Sequence, residues 1–279
     1  MSEAISKYMD IREYIAHKKD IIDKALDKYL PLSSVRPQII HRAMRYSVFP
    51  GGKRIRPIFT IAGFEACGGR GDSIMPVACG IELAHSYTLI HDDMPCMDND
   101  DFRRGKKTCH KKFGEDIALL AGDGLLTLAF QVIAESGNID AVKEISRAIG
   151  TCGVIGGQVV DILNKKPETS NQKPDVEYIN EKKTAVLFEA AVKSGGIIKG
   201  AGKREIDALG NFGRDIGLTF QLLDDLEDKD GHAKLYGGRR TKEKAEFLAK
   251  RAKSHLKIFC KETDKLLGLA DLIVNLASN

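Results

Sequence analysis

Apolar positions recur three and four residues apart along most of this chain, the spacing of amphipathic and buried helices. The pattern predicts helices over residues 3–30, 38–48, 74–94, 115–136, 139–163, 175–198, 203–228 and 241–277. Pro31 and Pro37 bracket the first turn, and Pro57 suits the opening turn of a further helix. Before it, Phe49 to Arg54 forms a turn in which Gly51 and Gly52 can take positive φ, so a basic loop feeds a helix N-terminus, a good place for an anion. Gly153, Gly156 and Gly157 lower helix propensity and should let a neighbouring helix approach closely. Asn164 to Pro174 reads as a surface loop with Asp175 capping the next helix, and Lys229 to Arg240 as a second loop. All eight prolines fall at or before position 174, so the second half is expected to hold long helices with few breaks.

Composition agrees with an all-α class. Of 279 residues, 43% are hydrophobic and 29% charged, enough for one large domain or two small ones, of which one compact domain over 1–279 is expected, while 6% aromatics and no Trp favour helices over sheets. The net charge of +4 is spread without a solid basic block, so nucleic acid is not implied. Short basic runs, Lys53, Arg54 and Arg56, then Arg103, Arg104, Lys106 and Lys107, suit compact phosphates or a solvated surface. Six cysteines without framework spacing read as reduced thiols of a cytoplasmic protein. The charged N-terminus and the lack of 18 consecutive apolar residues argue against secretion and a transmembrane segment.

Two acidic clusters break the apolar pattern: Asp92, Asp93 and Asp98, and Asp224, Asp225 and Asp228. Crowded carboxylates beside a core need compensating cations. On a helix, Asp225 lies roughly 100° and Asp228 roughly 40° from Asp224, so all three share one face. In the first cluster Asp98 would sit roughly 240° from Asp92 on an unbroken helix; Pro95 must end or loosen the helix and let Asp98 swing back. Either cluster alone also reads as a solvated helix end. Two of them with apolar flanks point to a shared site for a hard cation, Mg²⁺ above all, with a diphosphate as bridging ligand.

These residues resemble the trans-isoprenyl diphosphate synthases, the polyprenyl synthetase family, over most of the chain. Gly51 to Pro57 resembles the family's G-G-K-R-x-R-P, and His85 to Asp98 with Asp101 to Gly105 resembles its first aspartate-rich motif. Gly156-Gly157-Gln158 with Asp161, Lys183-Thr184, and Phe220 to Asp228 resemble its remaining landmarks. The resemblance implies an all-α, single-domain bundle of ten or more mostly antiparallel helices around a central cavity, and a homodimer. It implies that Asp92, Asp93, Asp98, Asp224, Asp225 and Asp228 hold Mg²⁺, three ions with substrate bound. Arg103 would contact an allylic diphosphate, and Lys53, Arg56, His85 and Arg104 would hold isopentenyl diphosphate. Lys183, Thr184 and Gln221 would flank the reacting carbons. His91 and His110 read as structural.

The family's logic makes residues before Asp92 the floor of the product pocket. Tyr87 and Thr88 occupy those positions, Tyr87 about 7.5 Å along the helix from Asp92. This resembles bacterial farnesyl diphosphate synthases, with geranyl and geranylgeranyl diphosphate synthases, a terpene cyclase and a non-catalytic subunit as alternatives. One departure stands out. The loop after Asp228 is shorter than the family's, leaving Lys229, or next Lys234, to stand in for its downstream lysine, or both as solvent-facing charges.

Overall fold

The structure, a computed structural model, describes residues 2–49, 52–165, 175–260 and 262–276. Gly51 and most of the Asn164–Pro174 loop lie outside them. By its internal packing the chain sorts into two compact units, Ala16–Ile58 with Met75–Asn138, and Met1–Ile15 with Phe59–Ile74 and Ile139–Asn279.

The first unit takes most of α1 (Ser2–Tyr29), α2 (Gln38–Val48), the opening turn of α3 (Ile55–Ala66), α4 (Met75–Asp92), α5 (Cys109–Phe113) and α6 (Glu115–Ala134). Its principal packing is α4 on α6. Helix α4 is apolar almost all round, and Val77, Ala78, Ile81, Leu83, Ala84 and Ile90 are buried, as befits a core helix. Gly122 of α6 makes the crossing close, since a Cβ there would overlap the His91 ring. His91 is accordingly structural, its Nε2 against the Leu119 carbonyl at 3.2 Å. A two-strand antiparallel hairpin, β1 (Phe102–Arg103) and β2 (Lys106–Lys107), was not expected from the helical pattern. Two-residue strands leave no periodicity to read, but Arg104 and Gly105 both turn with positive φ, and Gly105 takes it without strain.

The second unit holds the rest of α1 and α3, then α7 (Ile139–Ile149), α8 (Val154–Lys165), α9 (Val176–Ile179), a π-helical turn (Asn180–Ala185), α10 (Val186–Lys199), α11 (Lys203–Asp228), α12 (Gly231–Tyr236), α13 (Gly238–His255) and α14 (Asp264–Leu276). Its core centres on α10, α11 and α13, with Phe59 edge-on to Phe188 and Phe212 beside them. Four expectations change here. Residues 139–163 are two helices broken at Gly150–Gly153, where two poor helix formers bracket the turn. Residues 175–198 widen into the π-turn, and residues 241–277 break after His255 without a proline. The loop read over Lys229 to Arg240 contains α12. The Asp175 cap forms as expected, its Oδ1 accepting from the Tyr178 N–H at 3.0 Å.

Candidate active site

In the first unit the turn before α3 is organised by a buried arginine. Arg54, not Gly52, takes the left-handed conformation (φ 52°). Its guanidinium donates to Asp23 at 2.8 Å, to Glu82 at 2.7 Å and to the Val48 carbonyl at 2.8 Å. Those bonds offset the strain of a positive φ in a residue with a side chain. Gly52 serves a different end: a Cβ there would sit 2.5 Å from the Arg104 guanidinium.

Two residues beyond Arg54, Arg56 reaches His85 of α4, Nη1 to Nε2 at 3.3 Å, which makes Nε2 the acceptor and the ring neutral. Burial and then the charges of Arg56, Arg104, Arg103 and Arg54 push the His85 pKa well below its usual value. Burial, opposed by Glu82 and reinforced by Arg104, lowers Arg56 to about 10. Cations crowded in this way around a neutral imidazole form a cradle for an anion. Lys53, next to Arg54 in the chain, is exposed.

Helix α4 stops at Asp92, and the Asp98 amide returns to donate to the Asp92 carbonyl at 2.9 Å. The swing expected from Pro95 is what the backbone does. Asp93 turns inward and accepts from Arg103 Nε at 2.6 Å, with Nη2 also at 2.6 Å. Tyr87 is 5% exposed, edge-on to His91, its hydroxyl buried with no hydrogen-bond partner among the described residues. Burial and the nearby Asp92 charge push its phenol up to about 12. The Thr88 hydroxyl is spent on the His85 carbonyl at 2.8 Å.

In the second unit the hub is Asp225. It is buried, and accepts from Gln221 Nε2 at 2.8 Å, Asn180 Nδ2 at 3.1 Å and the His232 N–H at 2.9 Å. The Thr184 hydroxyl donates to Gln221 Oε1 at 2.7 Å, so Thr184, Gln221 and Asp225 form one chain of bonds across the π-turn and α11. Asp224 and Asp228 are exposed. The three carboxylates therefore do not share one face: a 100° step is enough to carry Asp225 into the packing against the π-turn. Lys183 Nζ donates to Asp161 of α8 at 2.9 Å; burial works against the Asp161 charge, yet Lys183 and Lys165 hold that carboxyl below the usual range. Gly157 permits the approach, because a Cβ there would lie 2.5 Å from the Lys183 nitrogen. Lys229 is the left-handed C-cap of α11, exposed to solvent.

Among the described residues, no three His, Cys, Asp or Glu side chains already converge on one point as metal ligands do. The donor chemistry still fits a hard cation: Asp92 with Asp98, and Asp224 with Asp228, are oxygen-only pairs, which Mg²⁺ completes with waters and phosphate oxygens. Arg54, Asn180 and His232 were missed as organising residues. Arg54 was visible only as one more positive charge, and the other two carry no spacing signal.

The Polyprenyl synthetase family profile matches residues 37–242. The large subunit 1 of the chloroplastic heterodimeric geranylgeranyl pyrophosphate synthase of Arabidopsis thaliana is 42% identical over 296 aligned residues, spanning 95% of this chain and 79% of its own. The geranylgeranyl diphosphate synthase of Cyanophora paradoxa is 35% identical, spanning 94% and 95%. An FPP/GFPP synthase from Zymomonas mobilis superposes with a TM-score of 0.90 at 34% identity over 96% of this chain and 99% of that one. That likeness gives the all-α fold its isoprenoid-synthase class.

Proposed function

Because this chain belongs to the polyprenyl synthetase family of prenyltransferases, we propose that it condenses isopentenyl diphosphate with allylic diphosphates, dimethylallyl and geranyl, to give mainly farnesyl diphosphate. The observation that carries the C15 product is Tyr87, a buried aromatic ring five residues before Asp92 on α4.

The cradle of Lys53, Arg56, His85 and Arg104 takes the isopentenyl diphosphate, whose charge relieves the crowding of those cations. Arg103, fixed by Asp93, turns its remaining N–H groups to the allylic diphosphate. Asp92 and Asp98 in the first unit, and Asp224 and Asp228 in the second, would each hold Mg²⁺, which when bound would neutralise the charge that grows on a diphosphate as its C–O bond ionises. Asp93 and Asp225, grouped with them by spacing, instead orient Arg103 and Gln221. The Gln221 amide and Thr184 hydroxyl face the allylic cation as fixed dipoles, and Lys183 meets the departing diphosphate. Lys229 is left as a solvent-facing cation at the rim. The final proton goes to the released diphosphate, and no side chain is assigned to it.

A homodimer is supported by α6, where Leu119 and Leu120 stand 46% and 55% exposed on a strongly apolar helix. By length and composition alone α6 passes for a membrane span, but it packs on α4, α2 and α5, as a core helix does. Six free thiols suit a reducing, cytoplasmic setting.

A second reading, geranylgeranyl diphosphate as product, is favoured by the names of the curated relatives. Incubation with dimethylallyl, geranyl or farnesyl diphosphate, isopentenyl diphosphate and Mg²⁺, with products resolved by chain length, decides between them. A C15 end product with farnesyl diphosphate refused as starter supports the first reading. Extension to C20 replaces it with the second.

A further inference from the structure

Resting on that reading, we propose that α12 is a strap pinned by His232, and that it positions Asp225 and, through it, the Gln221–Thr184 pair. After Asp228 the chain doubles back at once. Lys229 turns left-handed (φ 55°), the Asp230 N–H donates to the Asp225 carbonyl at 3.1 Å, and Gly231 follows with φ 50°. A Cβ on Gly231 would lie 2.6 Å from the Asp225 carboxylate. That closeness lets the next amide, that of His232, donate to Asp225 Oδ2 at 2.9 Å.

The His232 ring explains why the strap stays down. It is 5% exposed and lies against the Tyr236 ring, centroids 4.4 Å apart. The Thr241 hydroxyl, 2.7 Å from Nδ1, gives its own hydrogen to the Gly237 carbonyl at 3.0 Å. Its oxygen must then accept, so Nδ1 carries the ring proton and Nε2 keeps a lone pair. That lone pair faces Lys244 Nζ at 3.4 Å, and Lys244 reaches on to Glu177 of α9 at 2.6 Å. One neutral imidazole thus joins the strap to α13 and, through Lys244, to the helix that opens the π-turn bearing Asn180 and Thr184. A buried carboxylate depends on each of its donors, so a loosened strap leaves Asp225 short of one bond and frees Gln221 to rotate. The consequence falls on the chemical step more than on holding either diphosphate.

The test compares His232→Ala with His232→Asn, whose amide N–H can still reach Thr241. His232→Ala is expected to lower kcat about tenfold with both KM values within twofold, to raise diphosphate hydrolysis relative to condensation, and to strip the residue-232 amide of its protection from hydrogen exchange. His232→Asn is expected to restore most of kcat and the protection. Thr241→Val, which keeps the core volume and removes the acceptor, should repeat the alanine result if His232→Ala fails to fold. Wild-type kcat in His232→Ala with the amide still protected overturns the proposal, as does an asparagine variant no better than alanine. Wild-type protein that condenses nothing overturns the function instead, and exchange at the residue-232 amide then still decides the strap.

Discussion

Arg54 and Glu82 form an ion pair of 2.7 Å with side chains only 1% and 4% exposed, joining the turn before α3 to the middle of α4. Each carries a neighbour of the anion cradle, since Arg56 is two residues beyond the first and His85 three beyond the second. Removing one partner strands the other as a buried charge. Glu82→Ala is expected to cost about 3–5 kcal/mol, read as a fall in the denaturation midpoint at unchanged slope. Replacing both by apolar residues of similar volume should return much of that stability while raising the KM for isopentenyl diphosphate; a double variant with unaltered KM would show that the pair does not place the cradle.

Tyr87 places a buried ring five residues before Asp92, and its hydroxyl finds no partner among the described residues. Tyr87→Ala should shift the products by at least one five-carbon unit, measured by chain-length analysis after exhaustive incubation. Unchanged C15 output from a folded variant would move the floor elsewhere.

The unequal burial of Asp224 and Asp225 predicts unequal losses. Asp224→Asn should lower kcat about 10²–10³-fold, the range for removing a group that stabilises developing charge, with little change in stability. Asp225→Asn should cost less in kcat but lower the unfolding midpoint, because an amide in that place cannot accept from Gln221, Asn180 and the His232 amide together. Equal kinetic losses and equal stabilities would return both residues to one role.

His85 is held neutral well below its ordinary pKa, first by burial and then by four arginines. In the unfolded chain it takes up a proton as the pH falls through about 6.5. The unfolded state then binds more protons, so stability must decline with acid, by at most about 1.4 kcal/mol per pH unit from this one group. Unfolding free energies between pH 7 and 5 should show a shallower slope in His85→Gln than in the wild type. Parallel slopes would mean that His85 is not the group responsible.

Much of the candidate site was legible as spacing. Pro95 predicts the break that returns Asp98 to Asp92, because a missing N–H and a clashing ring act locally. In the sequence Gly52 reads as a turn residue, Gly157 as a point of close helix approach and Gly231 only as a glycine. What each one admits, the Arg104 guanidinium, the Lys183 backbone and the Asp225 carboxylate, is set by residues distant in sequence. The same limit hid α12, whose six residues are too few for a period, and the π-turn, whose widening leaves the apolar pattern intact.

By itself the sequence determined the helical class, most helix boundaries, the two acidic clusters and the basic runs, because periodicity, proline and charge are properties of neighbouring residues. Only the tertiary structure decided which carboxylates turn inward, as Asp93 and Asp225 do, and which stay open, as Asp224 and Asp228 do. It alone made Arg54 a buried strut rather than a surface charge. Burial and partnership are contributed by whatever packs on the other side, and that partner has no fixed offset along the chain.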